Sequence, residues 1–420
     1  GNIALEAGKP INDARGEVGA AIMQARFFAG EGMRLHGKTL TSGVSGKYSQ
    51  TVRQAHGVVG LIVPANTPIA NIAWKIFPAL ICGNTIVLKS SEDAPTVANL
   101  IAKLSKKSGL PDGVLNIIHG ARDAGAAIVE NEKVAMISFT GSTGVGQWIA
   151  EVAGRRLARV SLELGGKNSL FVSNDADIDN AVAQLLGAAF GSSGERCMAL
   201  SVAVTVGDDV ADVLVEKLSE SIKSLSFGPY NNPANDFGPV ITKNHQLSVI
   251  NHINSAENQG ADIVVDGRDV QVKGHENGFY IGGTLIDKVT PEMNSYDAEI
   301  FGPVLQIVRV KTKQEQSDRI SHMSKIYFNF ALGKAYEDKN LFDRAFQYYE
   351  RGNRQKKAQS RYVPSDLTAE FKDQEKVFTE KFIESHADTG CNASDPIFIV
   401  GLPRSGSTLL EQILASLSWT

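Results

Sequence analysis

Short apolar runs separated by helix-length stretches constrain this chain more than any other feature. VVGLIVP (58–64), TIVLK (85–89), VLNIIHG (114–120) and VAMISFTG (134–141) are rich in β-branched residues and nearly continuous in their apolar character. Runs of that kind suit strands covered on both faces. Between them lie helical stretches such as Thr96 to Ser108, long enough to return the chain for a parallel pairing. The alternation predicts an α/β fold with a mostly parallel sheet from Gly1 to about Val310.

From Lys311 the character changes: glycine becomes rare, aromatic and polar residues rise, and a helical pattern runs from Asp318 to about Lys357. Leu332, Gly333, Tyr336, Ala345 and Tyr349 fall at the spacing of one tetratricopeptide repeat. One repeat cannot bury its own apolar face, and Tyr327, Phe330, Tyr336, Phe346 and Tyr349 are expected to form that face. A polar stretch around Ser385–Asp395 leads to PIFIVGLPRSGSTLLEQILAS (396–416). The first residue is Gly1 and already helix-like, so a fragment is expected. A net charge of −4 gives no reason to expect nucleic acid as a partner. No apolar run approaches bilayer-spanning length, so no membrane partner is expected either.

Two side chains embedded in glycines carry chemistry. ELGGK (163–167) holds Glu163, and FGSSGERC (190–197) ends on Cys197. A carboxylate and a thiol supply a general base and a soft nucleophile. Taken alone, Cys197 could be a small buried hydrophobe and Glu163 the end of an element; their occurrence together favours chemistry. Cys82, Cys197 and Cys391 are too few and too scattered for a disulfide framework or a zinc site, so no metal is expected. A reducing cytoplasm would keep Cys197 as a thiol. Cys82, inside the apolar run PALICGNTIV, reads as core.

Together the two runs resemble the active-site signatures of the aldehyde dehydrogenase superfamily, and the resemblance covers residues 1–310. It implies a nucleotide-binding part over 1–164 and a catalytic, thiol-bearing part over 165–310, both incomplete. Beyond it, the residues themselves lead us to expect a helical segment over 311–395 and the start of a phosphate loop over 396–420. VPANTP (63–68) is similar to the family loop that presents an asparagine, here Asn66, to the oxyanion. Lys75 in AWKIFPAL (73–80) matches a lysine of the proton relay, although an exposed helix lysine is an alternative. Lys89 and Glu92 of KSSE (89–92) match residues that bind the adenosine ribose, and a carboxylate there repels a 2′-phosphate. NAD is therefore expected ahead of NADP. FTGSTGVG (139–146) opens a helix, and Gly141 and Ser142 would meet the pyrophosphate at its N-terminus. Ile62, Pro64, Gly146 and Leu164, from the same runs, are expected to complete the cofactor's surroundings. In EIFGPV (299–304), the resemblance implies that Glu299 holds the nicotinamide ribose and Phe301 packs on the ring.

The implied reaction is oxidation of a small-molecule aldehyde or semialdehyde through a thioester on Cys197. Upstream segments are similar to hydrolytic semialdehyde dehydrogenases. GERCMALSVAVTVGD (194–208) and VDGRDVQVKGHENGFYIGGTL (265–285) are similar to methylmalonate-semialdehyde dehydrogenases, which acylate coenzyme A and usually lack the glutamate at position 163. The mixture leaves water and coenzyme A open as acyl acceptors, and leads us to expect a chimeric chain joined near Cys197 and again near Val310. The family forms homo-oligomers, but its dimerisation strand has no counterpart here, so a poorly soluble chain with near-background turnover is expected.

LPRSGSTLLEQ (402–412) has the strand–loop–helix form of a phosphate cradle, with Arg404, Ser405, Gly406, Ser407 and Thr408 at its turn. It lacks the lysine of a Walker sequence. It resembles the 5′-phosphosulfate loop of repeat-containing sulfotransferases. No catalytic base of that family follows it before Thr420, so no transferase activity is expected of it.

Overall fold

The computed structural model describes residues 1–311, 322–358, 364–377 and 379–385. It divides into two compact units, residues 1–321 and 322–420. The phosphate-cradle residues Arg404, Ser405, Gly406, Ser407 and Thr408 lie outside the described residues.

The first unit opens with α1 (Asn2–Ala7) and α2 (Ile11–Glu31), joined by a turn in which Gly8 takes φ 67°. β1 (Thr39–Thr41) and β2 (Tyr48–Gln50) pair antiparallel, with every residue exposed. The expected alternation follows as β3 (Val58–Ile62), α3 (Pro68–Ile81), β4 (Thr85–Lys89), α4 (Pro95–Lys107) and β5 (Leu115–Ile118). It continues as α5 (Arg122–Glu130), β6 (Val134–Thr140), α6 (Thr143–Arg155) and β7 (Arg159–Glu163). These five strands, β3 to β7, form one sheet in the order β5-β4-β3-β6-β7, every pairing parallel. Leu61, Ile86, Leu88 and Ile137 are buried in it, as strands covered by helices require. Gly60 is glycine for a packing reason: a Cβ there would lie 2.3 Å from Ile128 Cγ2 on α5. The chain leaves β3 towards β4 and β5 on one side, and β6 and β7 lie on the other. The carboxyl ends of β3 and β6 therefore flank the switch point at which such sheets hold ligands.

A second sheet follows after residues 164–167. Its elements are β8 (Asn168–Val172), α7 (Ile178–Phe190), β9 (Leu200–Val206), α8 (Asp208–Ser224), α9 (Lys243–Asn258), β10 (Asp262–Val265), β11 (Thr284–Asp287), α10 (Asn294–Asp297) and β12 (Val304–Val310). The order is β10-β11-β12-β9-β8, parallel except between β10 and β11. Along β12 the pleat sends Leu305 and Ile307 into one core with Leu185 and Leu214. Val304 and Val308 enter the opposite core with Val249 and Ile253. Cys82 departs from expectation. The apolar run around it contains a helix end and a turn, with Gly83 at φ 79°, so Cys82 is exposed rather than core.

In the second unit the single helical pattern is broken into His322–Asp338 and Phe342–Ala358, joined at residues 339–341, where Asn340 takes φ 56°. They pack as an antiparallel hairpin. Gly333 lies under the Tyr349 ring, Phe330 faces Tyr349 at 6.3 Å, and Tyr336 stacks on Tyr348 at 5.2 Å. The expected aromatic face is thus divided: Phe330, Tyr336 and Tyr349 pack within the hairpin, while Tyr327 and Phe346 are exposed. Shorter helices follow at Pro364–Val377 and Glu380–Glu384. Among the described residues no helix is long and apolar enough to cross a membrane.

Candidate active site

Helix α7 does not run smoothly into the segment that bears Cys197. Ser192, Ser193 and Gly194 take φ of 52°, 58° and 71° in succession, and two of them are not glycine. Such conformations persist where the surroundings over-determine them. Here Asp13 Oδ2 accepts from Ser192 N (3.2 Å) and Oγ (3.0 Å), and Ser193 Oγ donates to the Gly238 carbonyl at 2.8 Å. Gly194 packs so tightly on the 299–304 segment that a Cβ would sit 2.1 Å from the Gly302 carbonyl oxygen. The turn leaves Cys197 exposed, and Asn168 Nδ2 from β8 donates to its carbonyl at 2.9 Å.

Cys197 opens onto a cleft of about 510 Å³. Asn66, Pro64, Gly141, Ser142, Glu163, Leu164, Glu299 and Phe301 share its lining, together with Trp74, Arg196 and His245. Its walls therefore come from the carboxyl ends of β3, β6 and β7, from α3 and α9, and from the loops of the second sheet. Asn66 is buried; its Nδ2 donates to the Glu195 carbonyl at 2.9 Å, and Lys9 Nζ donates to its own carbonyl. Glu163 ends β7 and accepts on its backbone carbonyl from Gly141 N at 3.0 Å. Lys75 is buried on α3 rather than exposed, which removes the alternative of a plain surface lysine. Burial brings its ammonium down to about 8, against the upward pull of Glu163, and its Nζ donates to Ser138 Oγ at 2.8 Å.

The cofactor candidates divide into two sets. Gly141 and Ser142 lie in the cleft at the start of α6. Ser142 makes no side-chain capping bond there, and a Cβ on Gly141 would strike the Phe139 ring at 2.4 Å. Glu299 Oε1 accepts from Gly166 N at 3.2 Å. Phe301 takes the left-handed φ of 55°, and its carbonyl accepts from His245 Nε2 at 2.6 Å. Ile62, Lys89, Glu92 and Gly146 do not line the cleft. Ile62 and Lys89 end β3 and β4 and are buried. Lys89 and Glu92 form an ion pair at 2.7 Å; burial would raise the Glu92 carboxyl, but the bond from Lys89 holds it below its ordinary value. Gly146 acts through its neighbour, since a Cβ there would meet Leu164 Cδ2 at 2.3 Å.

The cleft residues Arg196 and His245 escape the sequence reading, as do Glu195 and Lys167 behind the lining. Arg196 and Glu195 lie in the run that identifies Cys197, and Lys167 lies in the run that identifies Glu163. Glu195 is buried, which pushes its carboxyl up to about 8 against the Ile241 N–H bond and the charge of Lys9. Lys167 Nζ donates to the carbonyls of Ser295 and Ala298 at 2.7 Å each, bracing the segment before Glu299. Burial lowers its ammonium to about 8, although Glu299 and Asp297 pull upward. Nothing local marks His245, which reaches the cleft only through tertiary packing.

A strand-ended, glycine-lined cleft with a thiol, an amide and a carboxylate defines a class of cysteine-dependent oxidoreductase sites. The model of the Aldehyde dehydrogenase family matches residues 1–321, and the chain belongs to that family. Malonate-semialdehyde dehydrogenase from Pseudomonas aeruginosa is 44% identical over 328 residues, 76% of this chain and 64% of that protein. The crystal structure of methylmalonate-semialdehyde dehydrogenase from Oceanimonas doudoroffii matches with a TM-score of 0.74 and 49% identity, over 76% of this chain and 65% of that one. A Sinorhizobium meliloti protein assigned the same activity, solved with NAD, matches at 0.73 and 39% identity, over 75% of this chain and 64% of that one. The chain thus spans less than two thirds of the length of these relatives. The model of the Sulfotransferase family matches residues 396–418, outside the described residues.

Proposed function

We propose that residues 1–310 carry the active-site part of an NAD-dependent semialdehyde dehydrogenase that works through a thioester on Cys197. One observation carries this reading: Cys197, Asn66 and Glu163 line a single cleft with Gly141, Ser142 and Glu299. Cys197 Sγ attacks the aldehyde carbon. The carbonyl oxygen takes up the Asn66 Nδ2–H and the Cys197 backbone N–H, with Nδ2 leaving the Glu195 carbonyl that it now meets. Loss of one such donor costs about 10²–10³ in rate.

The chain's residues fit a dinucleotide. The first turn of α6 has no side-chain cap, and the bare Gly141 backbone lets a phosphate approach it. NAD, when bound, supplies the hydride acceptor. Lys89 and Glu92 lie at the end of β4, adjacent to β3, and would turn from one another to the adenosine ribose. Glu299 would meet the other ribose. Ile62, Pro64 and Leu164 would pack along the cofactor, with Gly146 setting Leu164. Lys75, buried and brought down to about 8, is suited to passing a proton on from Glu163. Arg196 in the cleft offers a cation to the carboxylate of a semialdehyde.

Glu163, exposed at the cleft, can take a proton from a water that attacks the thioester. The similarity to methylmalonate-semialdehyde dehydrogenases supports coenzyme A as the acceptor instead. A malonate-type semialdehyde with NAD, with and without coenzyme A, tests both arms. Glu163→Gln should slow release to water by about 10²-fold while sparing transfer to coenzyme A. Alkylation of Cys197 no faster than that of Cys82 in the folded chain would sink the assignment of the nucleophile.

A second reading is favoured by the match to residues 396–418. In it, the dehydrogenase part is joined to a tetratricopeptide-like hairpin and the opening of a sulfotransferase-like loop, and the chain turns over near background. Activity comparable with that of a whole relative would exclude it.

A further inference from the structure

Asp13 and Glu17 lie one turn apart on α2, and Lys9 stands four residues earlier, just before the Pro10 N-cap. Lys9 and Glu17 bond the segment that bears Asn66, and Asp13 bonds the turn before Cys197. Lys9 and Glu17 are buried and paired at 2.9 Å. Lys9 Nζ also donates to the Asn66 carbonyl, and Glu17 Oε1 accepts from Ile69 N (2.8 Å) and Ala70 N (3.2 Å) in the first turn of α3. The oxyanion loop is thus held where it runs into α3. Asp13 Oδ2 accepts from Ser192 N and Oγ and stands 3.6 Å from Arg196 Nη2. Around these residues the backbones are in close contact: a Cβ on Gly238 would lie 2.0 Å from the Gly8 carbonyl oxygen.

We propose that Lys9, Asp13 and Glu17 form a positioning device that fixes the separation between the Asn66 amide and the Cys197 thiol. Asp13 acts through Ser192. Two adjacent non-glycine residues in the left-handed region need an external partner, and the Asp13 carboxylate supplies it by receiving the Ser192 N–H. The same carboxylate offsets the charge of Arg196, the residue next to Cys197. Lys9 and Glu17 do the corresponding work for the loop that bears Asn66. A buried pair of this kind adds little to stability and much to geometric definition. The proposal rests on the reading that Asn66 and Cys197 serve one carbonyl group.

The test is Asp13→Ala in the full chain, with native-state iodoacetamide labelling of Cys197 and Cys82 followed across pH by peptide mass spectrometry. Releasing Arg196 and the turn beside it should raise the Cys197 labelling rate near neutrality by about threefold to tenfold. The Cys82 profile should stay fixed. Turnover should fall with the KM for NAD unchanged. Adding Ser192→Gly should recover part of the turnover, because glycine adopts the turn without help. An unchanged Cys197 profile, or equal shifts at both cysteines, would overturn the proposal. If the alanine variant does not fold, Asp13→Asn, which keeps an acceptor for the Ser192 N–H, carries the same comparison of profiles. Labelling decides the matter even if the parent chain shows no turnover; the assignment of Cys197 as nucleophile fails separately, if the parent labels both cysteines equally.

Discussion

Burial at three side chains sets a pH dependence that runs against the usual one. Glu195 binds its proton up to about 8 in the folded chain. Its stabilising contribution is therefore full below its ordinary value and is lost as pH rises through about 8. Lys75 and Lys167 are brought down to about 8, so theirs is full above the ordinary lysine value and lost as pH falls through about 8. These three groups together give a stability minimum near pH 8. Thermal unfolding from pH 5 to 10 should show it. Glu195→Gln should flatten the acid limb, and Lys75→Met should flatten part of the alkaline limb. A profile unchanged by either substitution would show that burial does not control these groups. At Gly165 the constraint is steric: a Cβ would lie 1.9 Å from Glu299 Oε2. Gly165→Ala should displace that carboxylate and raise the KM for NAD roughly tenfold, the effect of losing about 1.4 kcal/mol of binding; an unchanged KM would remove Glu299 from the cofactor's surroundings.

Among the elements, β3, β4, β5 and β6 were readable in advance because strands covered on both faces carry unbroken apolar runs. Gly60 belongs to that packing, and Gly60→Ala, which brings a Cβ to 2.3 Å from Ile128, should cost about 1–3 kcal/mol in chemical denaturation. That Glu163, Cys197 and Asn66 line one cleft was foreseeable, because each lies in a short run whose residue types point to the same chemistry. The place of His245 was not: its bond to the Phe301 carbonyl joins residues far apart in sequence, and no local pattern encodes it. Cys82 was misplaced because an apolar run does not show where a helix ends. The place of the break at residues 339–341 was not legible, since Asn340 turns the chain without a glycine or proline to mark it. The bonds of Lys9, Asp13 and Glu17 escaped the sequence reading as well, because their targets are set by tertiary structure alone.

Across the whole molecule, exposed apolar surface decides behaviour in solution. Tyr327, Phe342 and Phe346 are exposed on the helical hairpin, and the β1–β2 hairpin is exposed at every residue. Such surfaces promote self-association. Light scattering should show concentration-dependent assembly that Phe342→Lys with Phe346→Lys reduces; no reduction would place the sticky surface elsewhere. The cleft has a different consequence. Gly141 and Glu163 come from one sheet, while Cys197 and Glu299 come from the other, so any occupant is bound only while both sheets are intact. Occupancy therefore adds its binding free energy to the joint state and none to a half-melted one. Calorimetry should therefore show the transition of residues 1–321 moving to higher temperature as dinucleotide is added, and an unmoved transition would show that the cleft holds none.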